Sequence, residues 1–365
     1  VWLVSVAWAG LAAVWLGAQV RPEPAGSAAG AMTAAQAFLG ALDSGQLTRA
    51  RYAFGDPVKS RWHNLPPTMQ SRAGIGFADL TPAQRELGTA VLRSVLSPYG
   101  FAKVQAILAA DQYFGDVMRT GGGFPTGPNA YMLAIFGTPS ASAPWSVQFN
   151  GHHLGVNVTI VGRNRVLAPT LTAAYPNIYQ KDGKEIVVLA EEAGRALKLV
   201  QSLTETQRPQ AILRNQTWDF LLGPGHDGEI IQPEGIRGSE MTAAQREMLL
   251  DVAAAWVNIV DEDTARAKMA EVRRSVADTY FLWSGDTTVL GKAYFRVQGP
   301  AILIEYSPQT VNGPGSVGFR GGGPGRGGAG GVANDPNRAL DPTHVHAVYR
   351  DFTNDYGSQW VGAAR

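Results

Sequence analysis

Six histidines occur in the chain, and four of them fall in two short segments: His152 and His153 within Phe149-Asn150-Gly151-His152-His153-Leu154, and His344 and His346 within Thr343-His344-Val345-His346. Alternation along a strand puts His344 and His346 on one face about 7 Å apart, a spacing at which two imidazoles converge on one ion. In the other segment Leu154, Val156, Val158 and Ile160 form an apolar face shared with His152, while His153, Gly155, Asn157 and Thr159 form a polar one. The two side chains should therefore point opposite ways unless Gly151 makes a bulge, and His153 is the better placed ligand. All four are candidate metal ligands. The chain has no cysteine, which removes thiolate zinc sites and iron–sulfur clusters, so imidazole and carboxylate must supply the donors, and zinc or copper suits them.

Glu305 interrupts the apolar run Ile302-Leu303-Ile304-Glu305-Tyr306. It reads as a fourth ligand or general base, or else as an outward-facing edge residue or the ion-pair partner of Arg296 or Arg350. Arg350 continues the face of His344 and His346, and Glu305 and Arg350 are the candidate catalytic residues. A zinc ion lowers the pKa of its bound water toward about 7, which makes hydrolysis the reaction class such a site suggests. Two other readings stand beside this one: each histidine is a hydrogen-bonded, half-buried strand residue, or one is a metal-free base. The loop Leu222-Gly223-Pro224-Gly225-His226-Asp227-Gly228 and the loop Trp62-His63-Asn64-Leu65-Pro66-Pro67 read as turn chemistry first. No nucleophile elbow, phosphate-binding glycine loop or His-Glu-x-x-His helix is present.

The elements that must position these residues repeat. Gly74-Ile75 and Thr81-Pro82-Ala83-Gln84-Arg85-Glu86-Leu87 recur 161 positions on as Gly235-Ile236 and Thr242-Ala243-Ala244-Gln245-Arg246-Glu247-Met248, and Leu42, Gln46 and Ala50 recur as Leu203, Gln207 and Ala211. Each Thr-x-x-Gln is a capping-box helix start, strengthened in the first copy by Pro82. Leu87, Val91 and Val95, and then Met248, Val252 and Trp256, mark helix faces. Strands follow in both parts, with Gly137 to Gly151 and Gly285 to Gly299 each spanning 14 positions, and third strands expected over Val166–Leu171 and His344–Arg350. The expected fold is α+β, a tandem duplication of a helices-then-antiparallel-meander unit with pseudo-two-fold symmetry, the meanders joined or facing each other. The first part runs over 32–180 and the second over 181–365, with a glycine-rich loop at 313–331 in which 11 of 19 residues are glycine. The copy of Gly151-His152-His153 reads Gly299-Pro300-Ala301, so the histidines break the repeat.

A 365-residue chain with 45% hydrophobic residues is long enough for a sizeable core. A net charge of +1 gives no field for a polyanion, and two arginines in the glycine-rich loop are too few for nucleic-acid binding; no nucleic-acid partner is expected. Residues 1–20 carry no charge, and residues 1–31 read as a signal peptide or N-terminal membrane anchor with a small-residue linker. The expectation is an exported protein, periplasmic or secreted, that meets a membrane only through this segment.

The combination of Trp145 through Gly151-His152-His153-Leu154 and Asn157, the loop Leu222-Gly223-Pro224-Gly225 with Asp227-Gly228, and His344-Val345-His346 with Arg350-Asp351 resembles the family catalogued as domain of unknown function 3500. The resemblance covers nearly all of the chain after Met32 and implies no activity, substrate or cofactor. The resemblance implies an acidic residue just before the Gly-His-His motif, where this chain has Asn150. The functional expectation is an exported metalloprotein acting on an unknown small-molecule or polymer substrate, in the manner of a metal-dependent hydrolase; the alternative is a non-catalytic ligand-binding or scaffold protein.

Overall fold

A computed structural model describes residues 28–66, 68–118, 125–213, 220–310 and 340–361. The expected export segment, to residue 27, and the glycine-rich loop 313–331 lie outside the described residues. Helices α1 (Ala28–Gly40) and α2 (Ser44–Ala50) come first, then the short strands β1 (Arg51–Tyr52) and β2 (Ile75–Gly76) and helices α3 (Pro82–Val95) and α4 (Pro98–Tyr113). Strands β3 (Met132–Phe136), β4 (Trp145–Gly151), β5 (Leu154–Val161), β6 (Asn164–Leu167) and β7 (Thr170–Ala174) follow, with a separate hairpin of β8 (Ile178–Lys181) and β9 (Lys184–Val187). Helices α5 (Ala190–Gln201) and α6 (Arg208–Ala211), strand β10 (Ile236–Arg237), and helices α7 (Ala243–Val257) and α8 (Glu262–Arg274) lead to β11 (Tyr280–Gly285), β12 (Ala293–Gly299), β13 (Ile302–Thr310) and β14 (Leu340–Arg350). The class is α+β.

Both helix starts expected from Thr-x-x-Gln form. Thr81 accepts from the Gln84 amide at 3.3 Å and Thr242 from the Gln245 amide at 3.2 Å. The glutamines also tie helices together. Gln84 Nε2 donates to Ala41 O and to Gln46 Oε1, both at 2.8 Å; Gln245 Nε2 donates to Ser202 O at 2.9 Å and to Gln207 Oε1 at 2.8 Å. Helix α1 begins four residues before the expected boundary at Met32, because Ala29-Gly30-Ala31 continues the helix and sets Ala31 into the core beside Ala35 and Phe38.

Ten strands run in the order β1-β3-β4-β5-β7-β14-β13-β12-β11-β10, with β2 and β6 added beside β3 and β5, in one twelve-stranded sheet. The two strand sets are thus joined edge to edge through the antiparallel pair β7 and β14. The strand expected over Val166–Leu171 is interrupted at Ala168-Pro169 and becomes β6 and β7, as proline, which has no N–H to donate, requires.

One face of the sheet carries Leu133, Val147, Phe149, Val156, Val158, Phe295, Ile304 and Tyr306 and packs with α1, α3, α4, α5 and α7 in a single apolar core. The opposite face is polar yet also buried: Gln148, Asn150, Asn157, His344, His346, Arg350, Glu305, Ser307 and Arg296 are all under 9% exposed. Polar groups withdrawn from water must find partners, and two irregular segments supply many of them. Lys59 O accepts from Gln148, Ile231 O accepts from Gln298, and Glu234 pairs with Arg296. Trp62 and Phe220, one from each segment, meet Leu171 and Val348 on this face.

Candidate metal centre

His152 and His153 do not extend the strand pattern. They are the two turn residues of the β4–β5 hairpin, between the paired Gly151 and Leu154. His153 lies at φ +66°, in the left-handed region that few non-glycine residues enter, asparagine, aspartate and histidine more often than the rest, and that costs on the order of 1–3 kcal/mol. Gly151 is required beside it, since a Cβ there would sit 2.3 Å from the Tyr131 ring. The Tyr131 hydroxyl donates to His152 O, and Ala173 N donates to His153 O at 2.9 Å, so the turn is clamped to β7.

That clamp brings His153 to the strand next to β14. His346 is the register partner of Ala173, and the small alanine lets imidazoles from its two sides lean together. His344 Nε2 stands 3.2 Å from His153 Nε2 and 3.1 Å from His346 Nε2. The three could hold a metal ion: one ligand atom from each lies within 4.8 Å of the others. Zinc–nitrogen bonds of about 2.0–2.1 Å at tetrahedral angles imply nitrogens about 3.3–3.4 Å apart, close to the observed spacing. Their exposures are 2% for His153, 7% for His344 and 4% for His346. Burial, then the charge of neighbouring imidazoles, holds His153 and His344 well below the ordinary histidine pKa, so both are neutral and their lone pairs are available at pH 7.

A neutral imidazole has one N–H and one lone pair. Where three Nε2 atoms face one another, only part of that surface can be satisfied internally, and a cation resolves the remainder. Asn64 Nδ2 stands 3.3 Å from His346 Nδ1. A half-turn of this amide presents Oδ1 to an Nδ1–H and frees Nε2 to ligate, the carbonyl–histidine arrangement common behind metal ligands. Aromatic rings enclose the group: Phe220 stacks on His346 at 5.4 Å and Tyr175 lies 4.7 Å from His344, ring to ring.

His152 is turned away from the three. Its ring stacks on His153 at 3.7 Å, and its Nδ1 donates to Asp111 Oδ1 at 2.8 Å. Burial lowers its pKa despite this carboxylate. Glu305 and Arg350 share the polar face but engage the segment that covers it. Glu305 accepts from Leu221 N at 3.0 Å, Leu222 N at 2.8 Å and Tyr294 Oη at 2.7 Å; burial raises its pKa, opposed by these donors. Arg350 donates to Leu222 O and His226 O, each at 3.2 Å, to Asp355 at 2.8 Å and to Asp227. His226 pairs with Glu229, outside the three-histidine group.

Asn64, Asp111, Tyr175 and Phe220 carry no sequence signal of their own. Two of the loops were visible as turn-rich stretches, yet nothing in their composition says that they close over the histidines. No helix among the described residues is long and apolar enough to cross a membrane. Neither a curated protein nor a solved structure matches the chain. The family model described as "Protein of unknown function (DUF3500)" matches residues 25–358, and the chain belongs to that family.

Proposed function

We propose that the protein is a metalloprotein in which His153, His344 and His346 hold one zinc or copper ion, and that a metal-dependent hydrolytic activity is the chemistry it serves. The observation that carries this reading is the convergence of three buried Nε2 atoms, two pairs at 3.1–3.2 Å, on a turn whose His153 occupies a costly backbone conformation. Strain kept at one imidazole and not at its neighbours is what a site-building constraint produces. When bound, the ion supplies Lewis acidity. The chain's own part is to orient the imidazoles through Asn64 and the Ala173 clamp, and to exclude water with Phe220 and Tyr175. Burial of the site favours a small ligand over a polymer. Glu305 and Arg350 support the reading as holders of the Leu221–Asp227 segment over the site. Metal analysis of protein purified without a polyhistidine tag tests it: close to one ion per chain is expected, and a metal-free preparation that also refuses added zinc and copper would overturn it.

The matched helix starts and the matched Gln84–Gln46 and Gln245–Gln207 contacts support a tandem duplication, with one part over 32–180 and the other over 181–365. An experimental structure in which the two parts fail to superpose, at offsets of 161 for helices and 148 for strands, would remove that reading. The uncharged residues 1–20 support export, and full-length protein recovered only from the cytoplasmic fraction would speak against it.

A further inference from the structure

The described residues also enclose a cleft of about 740 Å³, which lies between α1 and β6 on one side and α8 and the segment after β14 on the other. The three histidines are not part of its wall. Its size falls in the range that takes a small organic molecule, and such sites favour junctions between packed units. Met32, Leu167, Val257, Val260 and Trp360 give it an apolar lining, whose contact with water is unfavourable.

The charges of that wall cancel. It carries four Lys or Arg and four Asp or Glu side chains, and the inner ones are paired. Arg165 donates to Asp261 at 3.1 Å, and Asp261 also accepts from the Thr264 amide and hydroxyl. Lys268 donates to Asp351 at 2.6 Å and to Glu271 at 3.0 Å, and Asp351 further accepts from Thr353 N and Oγ1. No net charge is left to offset that of a ligand. Taking an unpaired ion out of water is costly, so the cleft selects against ions.

One polar group of the wall is uncommitted. Tyr349 of β14 lines the cleft and is 2% exposed, its ring set in the apolar core. Among the described residues its hydroxyl makes no hydrogen bond, yet the atom is not sealed off, so it opens on the cleft. Burial, then the carboxylates of Asp351, Asp355 and Glu271, holds its pKa well above the ordinary phenol value; the hydroxyl keeps its proton and is a donor. A donor withdrawn from water without a partner is unfavourable, and an acceptor carried into the cleft relieves it. We propose that this cleft is a binding site for an uncharged molecule with an apolar body and a carbonyl oxygen, which accepts from the Tyr349 hydroxyl. The site is independent of the metal reading above.

The test measures binding of three compounds to the full chain by equilibrium dialysis: acetylnaphthalene, with a neutral carbonyl; naphthalene, with no acceptor; and naphthoate, with an ionised carboxylate. Wild type should take up the ketone saturably, and at least about threefold more tightly than either of the others, the worth of one modest hydrogen bond. Tyr349→Phe deletes only the unmet hydroxyl. It should melt no lower than wild type, bind naphthalene unchanged and lose the preference for the ketone over naphthalene. Ala267→Trp puts a large ring at the exposed lip of the cleft on α8, and should abolish binding of all three compounds while the protein stays folded. Zinc uptake is read alongside and should be the same in wild type and both variants, so the outcome does not depend on the metal reading. The proposal is overturned if wild type binds no ketone, if it binds naphthoate more tightly, if Tyr349→Phe keeps the wild-type preference, or if Ala267→Trp binds as wild type does.

Discussion

His153 and His346 stand on opposite sides of Ala173, their rings 5.4 Å apart. One is held by the bond from Ala173 N to His153 O, the other is the register partner of Ala173 across β7 and β14. The methyl of a fully buried alanine is thus the spacer of the site. Ala173→Val adds two methyl groups where the imidazoles converge. Overpacking of this kind costs about 1–3 kcal/mol, and the added bulk forces the rings apart. Thermal melting should show the loss of stability, and zinc titration a fall in affinity of at least about tenfold, since one such step corresponds to about 1.4 kcal/mol. Unchanged zinc affinity in a destabilised variant would show that the rings do not need this spacing.

Removal of single imidazoles should separate ligands from neighbours. His346→Ala deletes one of three converging nitrogens, and most bound metal should be lost while the fold persists. His152→Ala deletes a ring that stacks on His153 and bonds Asp111, and a change behind the ligands costs about 10–100-fold in affinity. At saturating zinc, metal content should therefore stay near wild type for His152→Ala and fall for His346→Ala. Equal losses in the two variants would place His152 among the ligands.

The metal-free protein should lose stability on acidification. His152, His153 and His344 have folded pKa values lowered below the unfolded value near 6.5, chiefly by burial. Between those values the unfolded chain holds more protons, so stability falls as pH drops through about 6.5, by up to about 1.4 kcal/mol per pH unit for each group. Asp355 works the other way: its pKa is raised to about 6, so the folded state takes up its proton first as pH falls. A difference measurement isolates the imidazole. His344→Asn cannot titrate, and between pH 7 and pH 5 it should lose less stability in denaturant unfolding than wild type does. Parallel losses would show that His344 is charged in the folded state.

Much of this is legible in the sequence. The Thr81 and Thr242 caps read directly because a capping box is local chemistry, closed within four residues. The pairing of His344 with His346 read as well, because strand alternation needs no tertiary information. The placement of His152 did not. Strand alternation does not carry past Gly151, where the chain enters a two-residue turn with His153 at φ +66°. That the two strand sets merge through β7 and β14 is a long-range pairing, which periodicity cannot select over facing sheets. Glu305 stands out in the sequence as an acid in an apolar strand, but its partners Leu221 and Leu222 lie more than 80 residues away in a loop.

Those partners define the last expectation. Glu305 Oε1 and Oε2 receive two backbone N–H groups from the segment that brings Phe220 onto His346, and Arg350 receives the same segment by its carbonyls. Glu305→Gln keeps the shape but replaces one acceptor oxygen with a donor, which confronts Leu221 N or Leu222 N with a group that cannot accept. One lost bond to a carboxylate and one orphaned donor together cost about 2–4 kcal/mol. The segment should then open more readily than the sheet beneath it. Limited proteolysis should show new cleavage between residues 220 and 228, while zinc binding remains close to one ion per chain because the three nitrogens are untouched. If Glu305→Gln instead loses zinc with no change in cleavage, the carboxylate acts on the metal and not on the loop.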